Sequence, residues 1–124
     1  MRLLSSAIVM SASLAVVSAT ILMAWPTPEE QGKELFVRRC SGCHAPDSNK
    51  EGPRLRGVYG RKAAAVPDFA YSEGLKKSSI HWDDASLDRW LTGPDEMVPD
   101  TDMAFRVKDG EERKALIAYL KTLK

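Results

Sequence analysis

Only two cysteines and two histidines occur among the 124 residues, so a disulfide framework is excluded. An excess of one charge is missing as well: 18 Lys and Arg against 17 Asp and Glu leave a net charge of +1. With no basic stripe, nucleic acid is not an expected partner. No internal repeat and no low-complexity segment occurs, and no apolar/polar alternation runs long enough for a useful strand. Beyond Trp25 apolar side chains are sparse and charges dense, and all 8 glycines and 7 prolines lie there. A body of about 100 residues with so little to bury has difficulty building a core unaided. The composition asks for a cofactor.

The first 25 residues have the opposite character. Met1-Arg2 is a positive start, and residues 3–25 carry no charge. Val17-Ser18-Ala19 meets the small-residue rule for leader cleavage, yet Ile21-Leu22-Met23-Ala24-Trp25 prolongs the apolar run. As a helix, residues 3–25 would reach roughly 35 Å, enough for a hydrocarbon core of about 30 Å. A terminal Trp25 suits an interfacial anchor, whereas the Ser and Thr scattered through the run weigh toward cleavage. Residues 1–25 are thus a signal peptide or an N-terminal membrane anchor. Either outcome exports the body, residues 26–124, to the periplasm.

Along the body, Thr27-Pro28-Glu29-Glu30 combines a cap, a proline at the first helical position and a capping-box glutamate. Gly32, Leu35, Phe36 and Cys40 then recur at helical spacing, predicting a helix to about Cys43. Ala45 to Ala70 shows no period and reads as a long loop, tolerable only if it wraps something that is not protein. A short helix is predicted after Tyr71-Ser72. Another is capped by Asp83 or Asp84, carries Leu87, Trp90 and Leu91 on one face, and stops at Gly93-Pro94. Asp109 opens a last helix with Leu116, Tyr119 and Leu120 on its face. The expected class is all-α, with long loops.

Cys40-Ser41-Gly42-Cys43-His44 reads C-x-x-C-H, the attachment signature of c-type haem. Two thiols three residues apart at a helix end can each add to one porphyrin vinyl group, which brings the adjoining His44 to the iron. A thioredoxin-like pair would need a βαβ context, and a zinc site would need a fourth ligand that His81 alone is poorly placed to supply. For a sixth ligand the body offers Met97, Met103 and His81. Met103 follows a helix stop on a loop free to point inward; Met97 is expected on the same loop but defaults to packing, and His81 to the surface. Methionine opposite histidine raises the haem potential, which suits an electron carrier. An enzyme or gas sensor would instead need an open iron position with a distal acid or base.

These residues resemble class I cytochromes c, and among them the mitochondrial-like group of bacteria. The resemblance spans Gln31 to Leu120 with its pieces in order. They are Gly32 and Phe36, the C-x-x-C-H run, Gly52 to Arg61, Tyr71-Ser72, Ile80-His81-Trp82, Trp90-Leu91, Pro99 to Phe105, and Leu116 to Leu120. It implies a class I cytochrome c fold of about three to five helices around one haem c held through Cys40 and Cys43. His44 and Met103 would ligate the iron. Pro53 would offer its carbonyl to the His44 ring, while Arg61, Tyr71, Trp82 and Thr101 would meet the propionates. Gly32 and Phe36 should cross Leu116 and Tyr119.

The implied function is single-electron shuttling between redox proteins of a respiratory or dehydrogenase chain, by a monomer without enzymatic activity. Three departures stand out. Trp90 replaces the family's usual tyrosine near the methionine, and Leu75 falls near a common asparagine; both make that side drier. Asp95, Glu96, Asp100 and Asp102 surround the Met103 loop where mitochondrial members carry lysines, with Arg39, Lys50, Arg106 and Lys108 as the nearby cations.

Overall fold

The computed structural model describes residues 24–124. The question of a leader or an anchor therefore lies almost wholly outside the described residues. Within them are five helices: α1 (Pro28–Arg39), α2 (Glu73–Lys77), α3 (Asp84–Thr92), α4 (Pro94–Met97) and α5 (Gly110–Thr122). The only strand-like pairing among the described residues is a single antiparallel bridge between Lys62 and His81. No helix there is long and apolar enough to cross a membrane.

The helix starts follow local chemistry. Thr27 and Glu30 form a reciprocal capping box on α1, and Asp83 and Ser86 form one on α3. Asp109 accepts from the amides of Glu111 (2.8 Å) and Glu112 (3.0 Å) and so caps α5. These amide donors hold the Asp109 carboxyl below its ordinary range. Ser72 caps α2 through Leu75 N at 3.2 Å.

Two boundaries differ from the expectation. Helix α1 stops at Arg39 rather than near Cys43, because the amides of Cys40 and Ser41 both converge on Phe36 O (2.8 and 3.0 Å). The Ser41 hydroxyl also bonds Val37 O at 2.6 Å, and Gly42, a poor helix former, follows. The second difference is α4. Gly93-Pro94 ends α3 as expected, but Pro94 also occupies the first position of a new short turn, where its missing N–H costs nothing. Met97 therefore sits on that turn, packed against the core, rather than on the loop of Met103.

Helix α1 packs on α5, and α3 packs on both α4 and α5. At the first crossing an added Cβ on Gly32 would lie 1.9 Å from Ala115 O, so only glycine permits this approach. The rings of Phe36 and Tyr119 meet there at 5.3 Å. Leu116, 2 % exposed, sits at the centre; burying such a side chain contributes roughly 1.5–3 kcal/mol. The long loop is tied down by its backbone: Gly57 N bonds Leu123 O (2.6 Å), Gly60 N bonds Trp82 O (2.6 Å) and Ala63 N bonds Ile80 O (2.8 Å).

Candidate haem-binding site

The aperiodic loop and the faces of α1, α3 and α5 enclose one cavity of about 290 Å³. Cys40, Cys43, His44, Pro53, Arg61, Tyr71, Trp82, Thr101 and Met103 all line it. These nine are the residues that the resemblance assigns to the haem, and the fold brings them together. The rest of the wall is largely apolar, with Phe36, Leu55, Phe69, Leu75, Leu91 and Phe105 among its members. Phe69 stands edge-on to Tyr71, their ring centroids 4.9 Å apart.

His44 is fixed from two sides. Its Nδ1 lies 2.9 Å from Pro53 O. A carbonyl only accepts, so Nδ1 carries the proton and Nε2 keeps its lone pair for a metal. Burial disfavours the imidazolium and lowers the pKa of His44; the Pro53 bond opposes this only in part. The ring lies flat against Gly52, where a Cβ would fall 2.2 Å from Cε1 and 2.7 Å from both ring nitrogens. Gly52 stands in the Gly52–Arg61 piece of the resemblance, but its place against the His44 ring was not foreseen from the sequence. The signal was there, a glycine before the proline whose carbonyl the histidine seeks.

The thiols suit thioether formation. Neither is in a disulfide. Cys40 is partly buried and Cys43 exposed, and burial pushes the Cys40 thiol up, toward its protonated form. Around the other ligand candidate, Trp90 Nε1–H donates to Met103 Sδ at 3.2 Å, and Met103 N donates to Thr101 Oγ1 at 3.2 Å. Leu75 is buried, which leaves this side apolar. Met97 does not line the cavity, and His81 is exposed.

The polar residues of the wall are partly committed to protein. Arg61 donates to the carbonyls of Arg54 (2.9 Å) and Arg56 (3.0 Å), and burial lowers its pKa. The Tyr71 hydroxyl accepts from Val66 N at 3.2 Å and retains its own proton for another acceptor. Trp82 is buried beside Trp90, ring centroids 5.3 Å apart. Two free thiols, a neutral imidazole, a soft thioether and an apolar wall with several donors together fit a porphyrin iron with acidic side groups. The residues present fit the group.

Charge at the rim departs from the expected acidic ring. Only Asp102 of the four loop acids lines the cavity. Asp95 and Glu96 close on Arg106 at 2.7 and 2.6 Å, and Asp100 accepts from Gly74 N at 2.8 Å. Among the cations, Arg39 pairs with Glu112 at 2.5 Å and Lys50 donates to Ser41 O. Arg106 offsets one of the two charges of Asp95 and Glu96, so pairing reduces the negative charge of this face.

The sequence model of the family described as "Cytochrome c" matches residues 29–124. A cytochrome c of Euglena viridis is 46% identical over 98 residues, covering 77% of this chain and 96% of its own. A cytochrome c2 iso-2 of Magnetospirillum molischianum is 41% identical over 88 residues, covering 68% and 91%. Among solved structures, cytochrome cH from Methylobacterium extorquens matches with a TM-score of 0.70 at 41% identity, over 74% of this chain and 95% of that one.

Proposed function

Because this chain belongs to the cytochrome c family, a family of haem c electron-transfer proteins with the class I fold, we propose that it shuttles single electrons between redox proteins outside the cytoplasmic membrane, with His44 and Met103 as the two iron ligands. Haem c is held through Cys40 and Cys43; when bound it supplies the ferric/ferrous couple. Every other task falls to side chains of the protein.

The observation that carries the ligand assignment is that His44 and Met103 line one cavity with both thiols, while Met97 and His81 do not. Pro53 O holds the His44 ring in the tautomer that leaves Nε2 free. Trp90 and Thr101 steady Met103 at its sulfur and its amide. Tyr71, Trp82, Arg61 and Thr101 are the donors that would meet the propionates, whose burial is costly without hydrogen bonds and a cation. The apolar wall excludes water and keeps reorganisation small between oxidation states. This role needs no catalytic side chain. Residues 1–25 direct the body to the periplasm, as a cleaved signal or a retained anchor, and its partners are redox proteins of a respiratory or dehydrogenase chain.

Substitution of each methionine in the holo protein tests the reading. Met103→Ala should abolish the weak sulfur-to-iron band at the red end of the ferric spectrum, lower the midpoint potential and admit exogenous ligands. Met97→Ala should keep the band. The reverse pattern would assign the ligand to Met97.

A further inference from the structure

Met103 sits on a stretch that has almost no backbone support of its own. Val98 and Val107 are buried at its two ends, 4 % and 0 % exposed, and Val107 N bonds Leu91 O at 2.7 Å. Between them, Pro99, Asp100, Asp102, Ala104, Phe105 and Arg106 are all exposed. The hydrogen bonds inside the stretch are Thr101 N to Val98 O at 3.0 Å and Met103 N to Thr101 Oγ1 at 3.2 Å. Yet it is tied outward on both sides of the methionine. Three residues before Met103, the Asp100 carboxylate accepts from Gly74 N in α2 at 2.8 Å. Three residues after it, the Arg106 guanidinium spans Asp95 and Glu96 of α4 at 2.7 and 2.6 Å.

The first tie depends on an absence. A Cβ on Gly74 would lie 2.2 Å from Asp100 Oδ1 and 3.0 Å from both its Cγ and Val98 Cγ1. Gly74 stands inside a helix, where glycine is unfavourable relative to alanine. The contact with Asp100 explains its presence.

We infer that Asp100, seated on the Gly74 amide, and Arg106, seated on Asp95 and Glu96, are positioning residues that latch the Met103 loop and set how readily the sulfur leaves the iron. The inference rests on Met103 being the sixth ligand. Neither residue lines the cavity; each acts by limiting excursions of the chain three residues away. A charge-assisted hydrogen bond to a backbone amide is the stronger kind, and the loop offers few other bonds to replace it. Lifting either tie raises the population of the open loop, so ligand exchange quickens while the helices stay intact.

The test is the rate at which imidazole replaces sulfur in the ferric holo protein, followed at the red band, together with the midpoint potential. Asp100→Ala should exchange about tenfold faster, the effect of losing one hydrogen bond of about 1.4 kcal/mol. Asp100→Asn keeps a neutral acceptor for the Gly74 amide and should fall between the wild type and Asp100→Ala. Gly74→Ala is the sharpest variant, since it deletes no polar group and favours the helix. It should nonetheless quicken exchange as Asp100→Ala does, and Arg106→Ala should act in the same direction. Wild-type rates in both Asp100→Ala and Gly74→Ala, or slower exchange in Gly74→Ala, would overturn the latch. If Asp100→Ala does not accumulate as holo protein, Gly74→Ala decides alone. Loss of the red band in Met103→Ala is the separate control; should the band persist there, the ligand reading fails rather than the latch.

Discussion

The two sides of the cavity are built from different materials. Around His44 the chain is held by its own backbone. Cys43 N and His44 N both bond Cys40 O (3.0 and 2.8 Å), Gly52 N bonds Cys43 O (2.8 Å), and Arg56 N bonds Pro46 O (2.8 Å). Pro53 O and the bare face of Gly52 then fix the ring. Around Met103 the ties are mainly side chains: Trp90 to the sulfur, Thr101 to the amide, Asp100 and Arg106 at the surface. Backbone ties come or go together, because breaking one displaces its neighbours. Side-chain ties are separable, and exposed ion pairs contribute only about 0.2–1 kcal/mol each. Damage on the histidine side should therefore be nearly all-or-none, and damage on the methionine side graded. That asymmetry suits a site where one ligand is permanent and the other adjustable.

The largest effect is expected at Gly52. Gly52→Ala places a Cβ within 2.2 Å of the His44 ring, which cannot retreat without stretching the Pro53 bond. We expect a loss of about 3 kcal/mol, the upper end of overpacking costs, and poor recovery of holo protein. Chemical denaturation of whatever holo protein forms measures it. A change below about 0.5 kcal/mol would mean that the histidine side yields as readily as the methionine side, and the contrast would fail.

How far this was legible in the sequence follows the same divide. Short-range chemistry was readable: the C-x-x-C-H run, the Thr27–Glu30 box, the Asp83 and Asp109 caps, and the grouping of the chosen residues around one cavity. The part played by Gly52 escaped because it is a contact with His44, eight residues back along an aperiodic loop, where no spacing rule applies. Helix α4 escaped because Gly-Pro serves equally as a stop and a start, and only the packing on α3 decides. The most instructive miss is electrostatic. Four acids close in sequence read as an acidic face, but Arg106, ten and eleven residues from its two partners, folds back between two of them and offsets one of their charges. Pairing across a loop depends on the loop's path, which composition does not encode.

Acid sharpens the contrast at a smaller scale. The Glu112 and Glu111 amides hold the Asp109 carboxyl below its ordinary 3.8. A depressed carboxyl contributes stability that is complete above its unfolded value and is lost as pH falls through the folded one. Asp109 caps α5 just after Val107, the downstream anchor of the Met103 loop. Lowering the pH below about 4 should thus weaken the sulfur band before the helical signal falls. Asp109→Asn keeps an acceptor but loses the charge, so its acid transition should be shallower. Simultaneous loss of band and helix in the wild type, with an unchanged slope in the variant, would count against this ordering.

The smallest effect concerns partner approach. An acidic face would repel an oxidase whose docking site is acidic, and charge reversal anywhere on it would speed the encounter. The pairing seen here predicts something narrower. Asp95, Glu96 and Arg106 act together as a single negative charge, and Asp100 is engaged by the Gly74 amide. Asp102 is the loop acid that lines the cavity mouth, with Arg39, Glu51 and Arg61 as the other charged members of the wall. At about 10 Å in water two unit charges interact by roughly 0.4 kcal/mol, and 0.1 M salt screens over a similar distance. Asp102→Lys changes the charge by two units and should therefore raise the second-order rate with such an oxidase only about fourfold at low salt, with no difference left at about 0.5 M. The wild type, lacking a strong field of either sign, should show a shallow salt dependence. A stopped-flow salt series on these two proteins measures both slopes. A steep rise of the wild-type rate with added salt would restore the acidic face and show that Arg106 does not offset it in solution.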